Sequence, residues 1–224
     1  GNSGTLTCPP YATGFKTVLG SYQSAKNVLT VGATQFTGDI ASFSSRGPVI
    51  DGRIKPEITT QGAAVVSTGN GSYYTNNGTS MACPGASGGA TLLIQRYRQL
   101  NAGTNPSNAL VKNLLCNGAT DKGNEGPDYT YGFGWMNLDR SLDILENNRY
   151  ASGSLIHGGF GLKTFTVSPG QAQLKVMLNW NDPAAPMVAY RALVNDLDLE
   201  LITPTGSILL PRILDTTAAR VNQV

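Results

Sequence analysis

The residues with the clearest chemical potential lie in one heptapeptide, because residues 78–84 read Gly-Thr-Ser-Met-Ala-Cys-Pro and lead into a helical pattern. A serine hydroxyl becomes an effective nucleophile only when a base removes its proton and donors stabilise the oxyanion that forms. At a helix N-terminus the N–H group of Ser80 would be unpaired, and the helix dipole would favour negative charge there. Gly78 would let the backbone approach a substrate closely. A serine in this position is more often a simple helix cap, so the physical argument alone only suggests a nucleophile.

A second group of polar side chains lies near the C-terminus. Asn195, Asp196 and Asp198 bring oxygen atoms close together along the chain, which is what a Ca²⁺ site requires. The alternative is that they are solvated residues on the exposed face of a strand, and the sequence leaves both interpretations open. We expect no cofactor for catalysis and at most a structural calcium ion.

Three cysteines, Cys8, Cys83 and Cys116, show no metal-ligand spacing. One disulfide at most could join two of them, and the sequence does not identify the pair. Three buried thiols are the simpler expectation. Glycosylation sequons begin at Asn70 and Asn77, and a glycan on Asn77 would cover Ser80. This argues against a glycosylating secretory pathway and favours a bacterial origin.

Composition excludes several functional classes. Apolar residues make up 40% and charged residues 13%, which indicates a folded globular protein. The formal charge of +2 includes no cluster of Lys or Arg, so we expect neither nucleic acid nor a membrane surface as a partner. No run of about 18 apolar residues is present that could span a membrane.

The elements around the heptapeptide predict an α/β domain over residues 1–150. Strands are predicted at residues 27–32 and 63–68, and a helix at 81–100. A second helix is predicted to start at Asn105-Pro106, with Asn105 as its cap, and to end near residues 117–118. A third is predicted over residues 137–147.

The pattern changes after Tyr150. Residues 164–167, 174–178 and 196–201 are predicted strands separated by turn signals, and the last alternates acidic and apolar residues. Residues 151–224 are therefore predicted to form an all-β, jelly-roll-like sandwich domain that is incomplete.

Several strings resemble one family in the family's own order. The heptapeptide resembles the nucleophile motif of the subtilisin-like serine proteases, the subtilases of peptidase family S8. Residues 1–4 resemble the oxyanion-hole segment of that family, and residues 131–137 resemble the turn into its final helix. Further matches are the strand at 27–34 and the segments 43–48 and 55–58 that precede the nucleophile. Residues 178–183 and 193–199 resemble a C-terminal β-sandwich found on some bacterial subtilases.

The resemblance implies specific roles. Ser80 would attack the scissile carbonyl, and Asn2 with the Ser80 N–H group would hold the oxyanion. Gly1, Gly78 and Thr79 would lie against the substrate. The family order is Asp, His, Ser, so the acid and base would precede Gly1 and are absent. The single histidine, His157, follows Ser80 and is expected to be a surface residue.

The chain is therefore expected to be the C-terminal half of a serine endopeptidase catalytic domain, inactive alone. Its partners would be a polypeptide substrate and the missing N-terminal half, in a secreted or cell-envelope protein. One alternative is a non-catalytic pseudo-protease whose sandwich binds polypeptide or carbohydrate. An α/β-hydrolase would need a Gly-x-Ser-x-Gly elbow, which the residues flanking Ser80 do not provide.

Overall fold

A small parallel sheet lies at the centre of the computed structural model, which describes residues 1–20 and 22–223. Strands β1 (Val31–Thr34) and β2 (Ile58–Gln61) pair in parallel, with Val31 opposite Ile58. Residues 133–136 run along the other side of β2, where the N–H group of Met136 donates to the Thr59 carbonyl at 2.9 Å. The predicted α/β class with a parallel sheet is confirmed. The predicted strand at 27–32 starts too early, since only its last two residues lie in β1.

An exposed hairpin follows the sheet and leads to the nucleophile candidate. It consists of β3 (Val65–Thr68) and β4 (Tyr73–Asn76), which are antiparallel. The predicted strand at 63–68 therefore exists, but it projects into solvent, and its Val66 side chain is 63% exposed.

The described residues form three helices, which supply most of the core, and the first of them covers the sheet. They are α1 (Thr79–Leu100), which packs on β1 and β2, α2 (Asn108–Gly118) and α3 (Leu138–Glu146). Leu93, Leu115 and Leu145 are buried among them. The second helix starts later than predicted, because the Ser107 hydroxyl accepts the cap hydrogen bond from the Leu110 N–H at 3.2 Å.

A buried charge cluster joins the sheet to α2. The Glu57 carboxylate, just before β2, accepts from the ammonium groups of Lys55 at 2.5 Å and Lys112 at 2.6 Å. Its second oxygen accepts from the Thr30 N–H at 2.7 Å, and Lys55 also donates to the Val28 carbonyl at 2.7 Å. Burial lowers the pKa of Lys55 to about 8, although Glu57 opposes the change. These contacts align the start of β2 with the segment that enters β1.

Residues 151–223 contain little regular structure. Residues 151–200 contain no helix or strand, and only the two-residue strands β5 (Leu201–Ile202) and β6 (Ile208–Leu209) follow. The predicted β-sandwich is not confirmed, because its proposed strands at 164–167 and 174–178 have no hydrogen-bonded partner strand within the described residues. Val224, inside the predicted domain bounds, lies outside the described residues.

Asp182 attaches this C-terminal part to the α/β part. The side chain of Asp182 is buried; it forms an ion pair with Lys26 and accepts from the N–H groups of Val194 and Asn195, each at 2.8 Å. Asn27 adds a reciprocal pair of bonds with the Asp182 backbone, at 2.9 and 3.1 Å. Burial alone would raise the pKa of Asp182, but the Lys26 and N–H donors hold it below its ordinary value.

Candidate active site

Ser80 is the second residue of α1, and its side chain is exposed. The residue before the helix, Gly78, has φ of 152°, in the range that favours glycine. The N–H group of Gly78 donates to the Gly62 carbonyl at 2.8 Å, which ties the turn to the end of β2. The predicted helix at 81–100 is therefore present, and it begins two residues earlier, at Thr79.

Asn2 lies next to this turn although it is far away in sequence. Its Oδ1 atom accepts from both the N–H group and the hydroxyl of Thr79, at 2.8 and 2.9 Å. A Cβ atom added to Gly78 would lie 3.4 Å from the Asn2 Nδ2 atom. Because Oδ1 is fully engaged, the amide nitrogen is the end of Asn2 that remains available to donate, and it lies beside the turn that precedes Ser80.

The segment that bears Asn2 is clamped on both sides. The Gly1 carbonyl accepts from the Ser45 N–H at 2.9 Å, and the Ser3 N–H donates to the Ser45 hydroxyl at 3.0 Å. The Gly4 N–H donates to the Phe43 carbonyl at 2.8 Å. These bonds hold Asn2 on a rigid backbone, which an oxyanion donor needs in order to be preorganised.

The first turn of α1 leaves one donor unpaired beside Ser80. The N–H group of Thr79 is taken by Asn2, and those of Met81 and Ala82 donate to the Gly78 carbonyl at 3.0 and 3.3 Å. No acceptor for the Ser80 N–H group occurs among the described residues. The first turn contains no acidic residue, so the positive end of the helix dipole is not neutralised locally.

Thr60 and Pro84 shape the helix behind the site. Pro84 lies inside α1 and has no N–H group, so it cannot donate to the Ser80 carbonyl as an ordinary helix residue would. The buried Thr60 hydroxyl donates to the Ala82 carbonyl at 2.7 Å, so this part of α1 is held by β2. No local pattern indicates this role for Thr60, because its partner is brought near only by packing of the helix on the sheet.

Thr79 bonds to Asn2 in the structure, and its predicted contact with substrate stays a prediction. It is buried, and both of its donors face Asn2, so its polar atoms orient the amide of Asn2. The substrate-contact roles of Gly1 and Gly78 stay predictions, as do the catalytic roles of Ser80 and Asn2.

No general base accompanies Ser80 within the part of the chain that is described. Its hydroxyl has no hydrogen-bond partner there. His157 is exposed, as expected, and makes no bond to Ser80.

The cysteine expectation is wrong for two of the three residues. All three thiols are free, but only Cys116 is buried, and burial raises its pKa to about 12. Cys8 is half-buried and Cys83 is exposed. Cys83 follows Ser80 by three residues, so both lie on the same open face of α1.

The predicted calcium ligands Asn195, Asp196 and Asp198 all lie at the surface of the C-terminal part. Asp196 and Asp198 are exposed and alternate with the half-buried Leu197 and Leu199, as on the outer face of an extended segment. Within residues 1–20 and 22–223, no three His, Cys, Asp or Glu side chains are grouped as metal ligands. The assignment of calcium to Asn195, Asp196 and Asp198 therefore stays a prediction without structural support.

Comparison with known proteins gives consistent matches. The model of the subtilase family, Peptidase_S8, matches residues 1–134. Serine protease AprX of Bacillus subtilis strain 168 is 35% identical over 140 residues, which cover 53% of this chain and 30% of AprX. Subtilisin DY of Bacillus licheniformis is 34% identical over 140 residues, covering 62% of this chain and 43% of that protein.

A solved structure agrees with the sequence relatives. The CspB protease of Clostridium perfringens superposes with a TM-score of 0.55 at 30% identity, covering 59% of this chain and 30% of that one. The chain thus spans less than half the length of these relatives. The family match extends over more than half of the chain and includes both Asn2 and Ser80. The chain therefore belongs to the subtilase family of serine proteases, peptidase family S8.

Proposed function

We propose that this chain supplies the nucleophile and the oxyanion hole of a serine endopeptidase. The observation that supports this most directly is the pair of Thr79 bonds to Asn2 Oδ1, at 2.8 and 2.9 Å. They leave the Asn2 amide nitrogen free to donate. This nitrogen and the unpaired Ser80 N–H group both lie beside Gly78, 3.4 and 3.7 Å from a Cβ atom added there. This is the arrangement that stabilises a developing oxyanion.

In the proposed reaction, the Ser80 Oγ atom attacks the carbonyl carbon of the scissile peptide and loses its proton to a base. The carbonyl oxygen becomes an oxyanion that accepts from Asn2 and from the Ser80 N–H group. The amine leaves with a proton, an acyl-enzyme forms on Ser80, and water then hydrolyses it. In subtilisin, a member of the same family, loss of the side-chain oxyanion donor lowers turnover by a factor of about 10²–10³, and we expect a similar factor for Asn2.

The base and the acid are proposed to come from a complementary polypeptide segment that packs on the open face of α1. Two observations support this. The Ser80 hydroxyl has no partner among the described residues, and the nearby Cys83, Gly85 and Gly88 are small and exposed. Small side chains allow another element to approach the helix closely. The chain alone is accordingly proposed to be inactive, and its substrate to be a polypeptide.

Fluorophosphonate labelling tests this proposal. The 224-residue chain and a longer protein that contains the complementary segment would be treated in parallel, with mass spectrometry to locate the adduct. We expect the adduct on Ser80 of the longer protein only, and none in its Ser80→Ala variant. Ser87→Ala is the matched control, because Ser87 is an exposed serine of the same helix and should not affect labelling.

The other outcomes are also decisive. A label on Ser80 of the short chain would contradict the complementary base, while leaving the nucleophile assignment intact. No label on either protein would contradict the protease proposal and favour the non-catalytic binding module instead.

We further propose that residues 151–223 form a β-sandwich once they pair with strands from outside these residues. Apolar side chains in this part are unusually exposed, including Phe160 at 90% and Ile213 at 94%. Amide hydrogen exchange at residues 164–167 and 174–178 should be slower in a longer protein than in this chain. Equal exchange in both would refute the sandwich.

Secretion or residence in a bacterial cell envelope stays a prediction from the family. No helix in the described part of the chain is both long and apolar enough to cross a membrane. Recovery of the protein from the cytosol of its source, and not from the medium or envelope, would contradict this prediction.

A further inference from the structure

A groove with an excess of positive charge lies where the C-terminal part meets the α/β part. It has a volume of about 500 Å³ and runs between the loop at residues 48–53 and two C-terminal segments. Lys16 and Arg53 contribute from the α/β part, and Tyr190 and Arg191 from the C-terminal part. Both parts of the chain therefore build the same surface.

The carboxylate in the groove wall, that of Asp51, is already compensated. It accepts from the Arg53 Nε atom at 3.0 and 2.8 Å and from the Ala192 N–H at 3.0 Å. Burial alone would raise the pKa of Asp51, but these donors lower it, so the carboxylate stays ionised and paired. The Ala192 bond also anchors the residue after Arg191, which holds Arg191 at the rim.

Two cations in the groove remain without a carboxylate. The Lys16 ammonium lies 4.9 Å from the centre of the Tyr11 ring, and neither Lys16 nor Arg191 has an ion-pair partner among the described residues. Another nearby carboxylate, that of Asp215, lies 4.0 Å from Arg220 and does not line the groove. The groove thus presents uncompensated positive charge from both sides.

Its remaining surface is suited to side chains of a peptide. Tyr190 is 75% exposed and Ile50 is 72% exposed, so aromatic and aliphatic surface adjoins the cations. The Tyr11 hydroxyl is fixed by donation to the Thr216 carbonyl at 2.9 Å, which keeps that ring in the groove wall. Nucleic acid usually needs a larger set of phosphate contacts than two free cations can supply. Exposed aromatic residues beside Arg are instead typical of protein-binding surfaces.

We propose that this groove binds an acidic segment of a polypeptide, with Lys16 and Arg191 pairing with its carboxylates. The segment would lie between the loop at residues 48–53 and Tyr190. Binding here does not depend on the proposed catalytic role of Ser80, so either proposal can fail without the other.

Fluorescence anisotropy with a labelled hexaglutamate peptide tests the proposal on the 224-residue chain at low ionic strength. An exposed ion pair contributes a factor of up to about five in affinity, so we expect Lys16→Glu combined with Arg191→Glu to weaken binding by about tenfold or more. Arg191→Glu alone, at an exposed position, should weaken it by about fivefold without affecting folding. Arg98→Glu is the matched control, since Arg98 is an exposed arginine in the last turn of α1 and should change affinity by less than about twofold.

Three results would overturn the proposal. One is equal weakening by Arg98→Glu and Arg191→Glu, which would indicate attraction to net charge alone. Another is equal binding of a hexaglutamine peptide, which would exclude a role for carboxylates. The third is displacement of hexaglutamate by an equal concentration of inorganic phosphate, which would indicate a simple anion site. Saturable hexaglutamate binding that only the groove variants weaken would support it.

Discussion

Replacing Glu57 by Gln should destabilise the fold strongly. Among the described residues, the Glu57 carboxylate is the negative charge that pairs with both the Lys55 and the Lys112 ammonium groups. The Lys55 and Glu57 side chains are 1% and 5% exposed, and the Lys112 side chain is 15% exposed. The substitution keeps the size of the side chain and one acceptor oxygen, but it removes the negative charge. Lys55 and Lys112 would then face each other with no carboxylate between them.

The size of the effect follows from the burial of the pair. Breaking a buried ion pair by removing one partner costs about 3–5 kcal/mol. If the single Gln oxygen keeps the bond from the Thr30 N–H group, the amide NH2 group faces two ammonium groups, so the cost should reach at least the lower end, about 3 kcal/mol. For a chain of this length each kcal/mol lowers the melting temperature by about 2–4 °C, so the expected decrease is about 6–12 °C.

Urea denaturation followed by far-UV circular dichroism would measure the change, with a shift of the midpoint at constant m-value. Glu146→Gln is the matched control, because it removes the same charge from the half-exposed pair with Arg96, which are 41% and 39% exposed. It should cost less than about 1 kcal/mol. If Glu57→Gln cost no more than the control, the cluster would not be a stabilising element and the reasoning would be refuted.

The buried lysine, the Asn2 support and the Asp182 anchor each give a further prediction. Between pH about 8 and its ordinary value of 10.5, Lys55 is deprotonated in the folded state but protonated when unfolded, so thermal stability should rise with pH by up to about 1.4 kcal/mol per pH unit. Above about pH 9 this rise in stability should weaken, because burial raises the pKa of Cys116 to about 12 in the folded state, so its thiol ionises more readily in the unfolded chain. Melting curves from pH 7 to 10 would measure the Lys55 and the Cys116 effects. A flat profile between about pH 8 and 9 would contradict the Lys55 prediction. Thr79→Val should slow Ser80 labelling by about tenfold in the longer protein, as Asn2 loses one of two bonds, whereas Thr79→Ser should label normally. Asp182→Asn should accelerate amide exchange at residues 194–195 by about tenfold, and unchanged exchange there would show that the carboxylate does not hold this segment.

Local patterns were enough to locate the chemically important serine. The heptapeptide at residues 78–84 and the apolar spacing of α1 and α3 depend on neighbours within a few residues. The sequence predicts a helix boundary less accurately where two nearby residues can both act as the cap. The observed start of α2 lies after the predicted one, because the Ser107 hydroxyl accepts from an N–H group in the first turn and the Asn105 side chain does not.

The C-terminal part shows where local patterns fail. Alternation of acidic and apolar residues does appear as alternating burial at Leu197 and Leu199, but strands form only when a neighbouring strand satisfies their backbone groups. No such partner is present for residues 164–167 or 174–178 within the described chain.

Short strings and local periodicity are sufficient to identify the family, the order of the main helices and the candidate nucleophile, because each of these depends on residues that are close together in the chain. The construction of the site depends on tertiary packing instead. Thr79 and Asn2 are separated by 77 positions, and Lys112 and Glu57 by 55. Hydrogen bonds and ion pairs across such separations require the sheet and helices to pack first. No local pattern could therefore show that Thr79 orients Asn2, or that two lysines share one buried carboxylate.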